Sequence, residues 1–472
     1  MFGRKPQPTE VPKHRTPRYS DRAIEADQDK GASGTFTSLV GHWWDRVISS
    51  IFSGGLAQQS AQYLAHQTKR DYLANIVGQS SWGALFPLLT VVCSQLVGVE
   101  QAGLFSMAFV VGMLLLFVAQ YGVRTFQVSD LDEMQSFSDY QAQRLATCVG
   151  MVLAGLMWCF LHGYGKPMFS ICTGMFAFRF ADGMADVYEG RLQQKDKLYL
   201  AGISQALRCI LGFLTFSIVL LITRNLTWAT WAMGLTALLT LVAVTIPLAL
   251  LETEKSTPLT LRGIKRIFVQ CWPLFLGLFL YNLIDSIPKF AMESSLSYDN
   301  QLYFNALYFP AHMILMLSIL IYRPQLVRLA NIWENPDSKH RFGLVVLAML
   351  GVIILITAAT VLFVDSIGIP LNAFLYGVDF ESYRGLARVM VITGGICAGI
   401  DYLYQIITIL RAQRSVTRIY LISVIIAVPV VFMMVSFDGL NGAVIGSFTS
   451  MSILFLLLIS DYISLRHRQR HE

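Results

Sequence analysis

FGLVVLAMLGVIILITAATVLFV, residues 342–364, carries no charged side chain over its whole length. Wound as an α-helix, a run of this length crosses the roughly 30 Å hydrocarbon core of a bilayer. Lipid offers backbone N–H and C=O groups no partner, so the run reads as a helix and not as an open strand. Similar runs lie at 75–97, 103–121, 145–162, 168–188, 199–222, 226–250, 267–287, 305–322, 386–409, 419–436 and 440–462. The chain therefore reads as an all-α polytopic membrane protein with about twelve transmembrane helices. Composition agrees: of 472 residues, 54% are hydrophobic and 14% charged, against about 25% charged in soluble domains. Mean hydropathy is +0.54.

The charges that remain fall in the first seventy residues and in short islands between the runs. With the N-terminus inside, outward islands hold Lys166, Arg224, Lys289, Arg384 and Arg388. Apart from the first seventy residues and from Arg179 and Arg208 within spans, inward islands and the tail hold the rest, among them Arg124, Arg144, Arg191, Arg262, Arg323 and Arg411, an excess of about four to one. Both termini are expected on the cytoplasmic side of a bacterial plasma membrane. The net charge of +6 then follows from topology and calls for no nucleic-acid partner. The seven cysteines all sit in apolar runs with no CxxC pair, so they read as packing residues and not as disulfides or metal ligands.

Along the chain, 1–35 is polar and reads as a disordered cytoplasmic tail. Residues 36–70 space Leu39, Val40, Trp43, Trp44, Val47, Ile48, Ile51 and Phe52 near helical period, as an interfacial amphipathic helix or one packed on the bundle. A six-helix lobe at 71–251, a cytoplasmic linker at 252–266, a second six-helix lobe at 267–462 and a basic tail at 463–472 complete the division. Tyr121 with Arg124 and Tyr322 with Arg323 close the second helix of each half, and Asp186 and Asp401 lie towards the inner end of the fourth. Such echoes accompany six-plus-six transporters. No Walker loop, GxGxxG turn, HExxH helix or nucleophile elbow occurs, so no enzyme activity, ATPase or cofactor is expected.

An ionisable residue at the centre of a span costs roughly 2.5–3.5 kcal/mol and needs a reason. Arg179, Asp182 and Asp186 stand at i, i+3 and i+7 on one face of the fourth span, as the polar wall of a cavity or as a self-neutralising pair with Asp186 near the interface. Arg208 in the fifth span has no local acid. It either receives an anion, since guanidinium meets phosphate two nitrogens at a time, or pairs with Asp182 or Asp186 across helices. Tyr281, Asp285 and Lys289 follow i, i+4, i+8, with Asn282 beside them and Asp285 expected to pair with Lys289. Asp401 lies near Tyr404 and Gln405 and is a candidate for a coupling proton or cation, or for a salt bridge to Arg208 or Arg411. His312 reads as packing more readily than as a functional group, and Arg124 and Arg323 read as topology anchors.

Four segments together resemble bacterial polysaccharide-biosynthesis membrane proteins: YGVRTFQVSD at 121–130, DVYEGRLQQKDKLYLAG at 186–202, YFPAHMILMLSILIYRPQLVRLA at 308–330 and DYLYQIITILRAQ at 401–413. The resemblance is to the oligosaccharide-flippase branch of the multidrug/oligosaccharidyl-lipid/polysaccharide exporter superfamily, and covers most of 70–462. It implies two lobes around a central cavity that opens alternately to each side. It also implies a polyprenyl-diphosphate-linked oligosaccharide moved from the inner to the outer leaflet, with polysaccharide polymerase or glycosyltransferases as partners. Arg124, Arg179, Arg208 and Arg323 would then meet the diphosphate. Tyr281, Asn282, Tyr404 and Gln405 would meet the sugar, and Asp182, Asp186, Asp285 and Asp401 would balance charge or couple an ion. The alternative within the superfamily is a drug or organic-cation antiporter. Such proteins typically carry an acid in the first helix, where this chain has only Asn75, Gln79, Ser80 and Ser81 as polar candidates. A membrane glycosyltransferase or polymerase is disfavoured by the short outward loops.

Overall fold

The apolar runs fold as helices in a computed structural model that describes residues 69–130, 133–195, 197–254, 256, 258–322, 325, 326, 329, 332, 333, 339–410 and 412–471. The tail at 1–35 and the amphipathic segment at 36–70 lie outside the described residues, apart from Lys69 and Arg70. The first half contains α1 (Lys69–Val97), α2 (Val99–Gln120), a short α3 (Val123–Ser129), α4 (Phe137–Leu161), α5 (Lys166–Gln194), α6 (Leu198–Thr223) and α7 (Leu226–Glu252). The second half contains α8 (Leu261–Ser295), α9 (Asp299–Tyr322), α10 (Arg341–Tyr376), α11 (Arg384–Ile409) and α12 (Gln413–His471).

Among the described residues, ten helices are long and apolar enough to cross a membrane. Two further crossings are visible in the backbone. Charged side chains keep the 29-residue α5 below the apolarity that defines the ten. α12 breaks at Asp438 and Gly439, where φ reaches −135° and +54°, so it is two helices end to end. Six spans thus fall in each half. With an even count the start of α1 and the end of α12 share one end of the bundle, here called proximal; the loops at 98, 162–165, 296–298 and 377–383 mark the distal end.

Packing sorts the spans into two lobes. α1 packs on α6, and α5 on α2, α4 and α7; in the second lobe α8 packs on α12, and α11 on α9, α10 and α12. The lobes meet chiefly where α2 lies against α8 and α9. Small residues permit the closest approaches, as expected where lipid supplies no hydrophobic drive between helices. A Cβ on Gly202 of α6 would overlap the Ala74 carbonyl of α1. At the lobe boundary, a Cβ on Gly103 of α2 would overlap the Tyr298 carbonyl.

Proline shapes two helices. In α7 a π-helical turn at Leu241–Thr245 precedes Pro247, and in α10 another at Val364–Gly368 precedes Pro370. Each widened turn accommodates a ring that lacks an N–H and crowds the preceding turn. Two boundaries depart from the sequence reading. The linker expected at 252–266 gives way to helix at Leu261, which Thr260 caps by accepting from the Gly263 N–H at 3.2 Å. At the other end α12 continues to His471 through the segment expected as a tail.

Candidate functional site

The fourth-span charges gather partners from four other helices in the first lobe. Asp182 on α5 is 4% exposed and accepts from three side chains. Arg208 Nη2 and Nε approach its Oδ1 at 2.9 and 3.2 Å, and Arg179 Nη1 its Oδ2 at 3.2 Å. Trp82 Nε1 on α1 reaches the same Oδ2 at 2.9 Å. Arg208 also donates through Nη1 to Glu189 Oε1 at 2.7 Å. Ser204 donates to that carboxylate at 3.2 Å and lies 2.9 Å from Thr245 Oγ1, which the widened turn of α7 brings in. Towards the proximal end, Asp186 takes Arg124 Nη1 at 3.0 Å and Arg144 Nη2 at 2.7 Å. Gln193 accepts from Arg124 Nε and Nη2 at 3.3 and 3.1 Å.

These pairings decide between readings left open above. Arg208, 1% exposed, takes the cross-helix option: Asp182 and Glu189 occupy its guanidinium. Arg179 pairs with Asp182 but has buried Nε and Nη2 atoms without a hydrogen-bond partner, and its guanidinium carbon lies 4.3 Å from the centre of the Phe109 ring. Arg124 ties α3 to α5 with 27% of its side chain exposed. Arg323 lies outside the described residues. Around Asp182, Asp186 and Glu189 stand four guanidinium groups, from Arg124, Arg144, Arg179 and Arg208, so with all seven ionised the network carries one net positive charge.

Two members escaped sequence reading. Hydropathy places Arg144 in an inward loop, yet α4 begins at Phe137 and buries Arg144 fully. Glu189 stands just past the span expected to end at 188, while α5 runs to Gln194 and holds Glu189 at 2% exposure. A hydropathy window stops at the first dense charges and so cuts off the helix where partners on other helices satisfy them.

The remaining candidates gather in the second lobe. Asp285 accepts from Lys289 Nζ at 2.9 Å, as its spacing foretold, and from Tyr308 Oη at 2.6 Å. The Lys289 ammonium lies 4.7 Å from the centre of the Tyr308 ring, and His312 sits one turn along α9 from Tyr308 with ring centres 6.3 Å apart. Tyr281 and Tyr404 flank Tyr420 at 6.1 and 6.4 Å between ring centres. Asp401 accepts from Tyr322 Oη. Asn282 donates to the Leu278 carbonyl of its own helix at 2.8 Å, and Gln405 is half-buried. Among the described residues the candidate arginines thus lie in the first lobe and the candidate tyrosines in the second.

At the proximal end Arg191 on α5 and Lys195 just past its last turn both bind Glu133, Arg191 at 2.9 Å. Those cations, Lys195 foremost, hold the Glu133 carboxyl below its ordinary value.

No protein-family model matches the chain, and no curated protein does. Solved structures match it over most of its length. A multidrug resistance MATE family transporter of the MOP superfamily, in its inward-facing conformation, superposes with a TM-score of 0.61 at 14% identity, covering 83% of this chain and 99% of that one. The fold is that of the MATE transporters. The Vibrio cholerae MATE transporter VcmN matches at 13% identity and TM-score 0.58, over 88% of this chain and 99% of its own. A MOP superfamily transporter from Pyrococcus furiosus, described as having a binding pocket of reversed polarity, matches at 14% and 0.55, over 84% and 94%. At these identities the likeness is one of fold. The all-helical structure and its MATE-like fold uphold the expected fold class, and about twelve helices in two lobes is compatible with them.

Proposed function

We propose that the chain is a non-enzymatic transporter of the bacterial plasma membrane that moves a polyprenyl-diphosphate-linked oligosaccharide between leaflets by alternating access. The MATE fold supports transport between two lobes. The lipid-linked glycan rests on the chemistry of the first lobe, and one observation carries it: a buried network with more guanidinium than carboxylate, in which two guanidinium nitrogens of Arg179, Nε and Nη2, are unpartnered. A diphosphate supplies the oxygens such donors lack, since guanidinium binds it through paired hydrogen bonds. Arg124, partly exposed near the proximal end, is placed to meet the headgroup first. In the second lobe Tyr281, Tyr404 and Tyr420 form an aromatic wall of the kind on which sugar rings pack. Both termini face the cytoplasm in this reading, and enzymes that make or polymerise the glycan are its partners.

The test is transport of a labelled polyprenyl-diphosphate oligosaccharide in liposomes, read by headgroup accessibility, for wild type, Arg179→Gln and Arg208→Lys. Wild-type transport lost in Arg179→Gln, with protein folded, is the expected result. Equal transport by Arg179→Gln would remove Arg179 from substrate binding.

A second reading, ion-coupled antiport of an organic cation, is favoured by the second lobe. There Asp285, paired with Lys289, lies among Tyr281, Tyr308 and His312, an aromatic setting in which an organic cation would take the place of the Lys289 ammonium, and the multidrug transporter structures share the fold. Uptake of an organic cation by the same liposomes, with no glycan-lipid movement, would establish it in place of the first.

A further inference from the structure

The loop between α4 and α5 turns through Gly163, at φ +61°, and sends Tyr164 across the lobe boundary. Its hydroxyl donates to Glu293 Oε1 on α8 at 2.6 Å and receives a hydrogen bond from Trp158 Nε1 at 3.2 Å. Trp158 stacks on His162 at 4.1 Å and packs against Phe290 of α8 at 5.0 Å. Burial, and then the neighbouring Glu293, push the Tyr164 phenol above its ordinary value, so it remains a donor. One oxygen is thus held by a donor from its own lobe while it binds a carboxylate of the other.

The opposite flank repeats the arrangement with the lobes exchanged. Tyr376, at the distal end of α10, meets α1: Ser94 Oγ donates to its carbonyl at 2.8 Å, and its hydroxyl lies 3.3 Å from Thr90 Oγ1. α1 and α8 are the first spans of their lobes, and α4 and α10 the third. Each lobe therefore binds the first helix of the other through a tyrosine at the distal end of its own third span. The correspondence follows the six-plus-six repeat, and neither contact depends on the other.

We propose that these two contacts form a clasp that holds the distal ends of the lobes together, and that its release lets the distal end open. The proposal rests on the reading of the chain as an alternating-access transporter, but its test reads distance and not transport. All seven native cysteines are buried, so spin labels attach selectively at Lys166→Cys and Ser295→Cys, exposed positions on either side of the Tyr164–Glu293 contact. In wild type, pulsed electron resonance should find mainly the short separation. Tyr164→Phe, which removes the donor, should raise a longer-distance population by about five- to tenfold, and Glu293→Gln, whose amide oxygen still accepts from the phenol but carries no charge, by a smaller factor. Glu293→Gln combined with Ser94→Ala should raise it further. Each change is near-isosteric, and Tyr164→Phe remains informative should the Glu293 variant not fold. Distributions that superimpose on wild type in both single variants would overturn the clasp, as would a longer population already dominant in wild type. Distances that respond while no glycan-lipid moves would keep the clasp and overturn the substrate.

Discussion

Asp182 accepts from Arg208, Arg179 and Trp82, and its two arginines are not equivalent. Removing Arg208 strands Asp182 and Glu189 without their shared cation, and uncompensated buried charge costs about 3–5 kcal/mol. Arg208→Ala should therefore melt far below wild type in detergent. Arg179→Gln leaves Asp182 with two donors and should cost about 1–3 kcal/mol at most. Equal melting of the two variants would contradict this ranking. Glu133 gives a pH signature. Its carboxyl is held below its ordinary value of 4.5, so its contribution is complete above pH 4.5 and is lost as pH falls from there through the lowered folded value. Glu133→Gln should lower the melting temperature at pH 7, and the gap from wild type should close under more acidic conditions; a gap that widens on acidification would refute the assignment. At this scale the sequence shows pairs on a single helix. Arg179 with Asp182 and Asp285 with Lys289 are visible as spacing, whereas Arg208 with Glu189 or Arg144 with Asp186 depends on which helices become neighbours.

Among the elements, α1 and α6 touch through backbone because Gly78 and Gly202 have no side chain to separate them. Gly202→Val would drive a branched Cβ into the Ala74 carbonyl, an overpacking that costs about 1–3 kcal/mol or more. Gly150 on α4 faces open space, and Gly150→Val should leave the melting curve unchanged. Thermal melts of the pair check the claim, and equal destabilisation would defeat it. Helix interiors were legible from the apolar runs, but their ends were not. Lys69 to Leu73 in α1, Phe137 to Arg144 in α4 and Glu189 to Gln194 in α5 are polar stretches that continue a helix past the hydrophobic window. Nor does composition announce the widened turns, although a proline follows each one by two residues.

For the whole molecule, twelve crossings place the beginning of α1 and the end of α12 on the same side. Epitope tags ahead of residue 69 and after residue 471 should both be reached from one and the same side, which the proposed topology makes the cytoplasm, and tags on opposite faces would require an odd count. The two-lobe plan was legible because it follows from counting spans and splitting them at the polar stretch after α7. Lobe contacts were not, since Tyr164 and Tyr376 carry no pattern that marks them as reaching across. The surplus guanidinium in the first lobe has an electrical consequence. With all seven groups ionised the network carries one positive charge, and in the proposed alternating-access cycle any rocking of that lobe would carry the charge through part of the membrane potential. A full crossing at 100 mV is worth about 2.3 kcal/mol, so even a fraction of that path makes the conformational step electrogenic. In that proposed cycle the resting voltage of the cell would bias which face of the protein is open, before any substrate has bound.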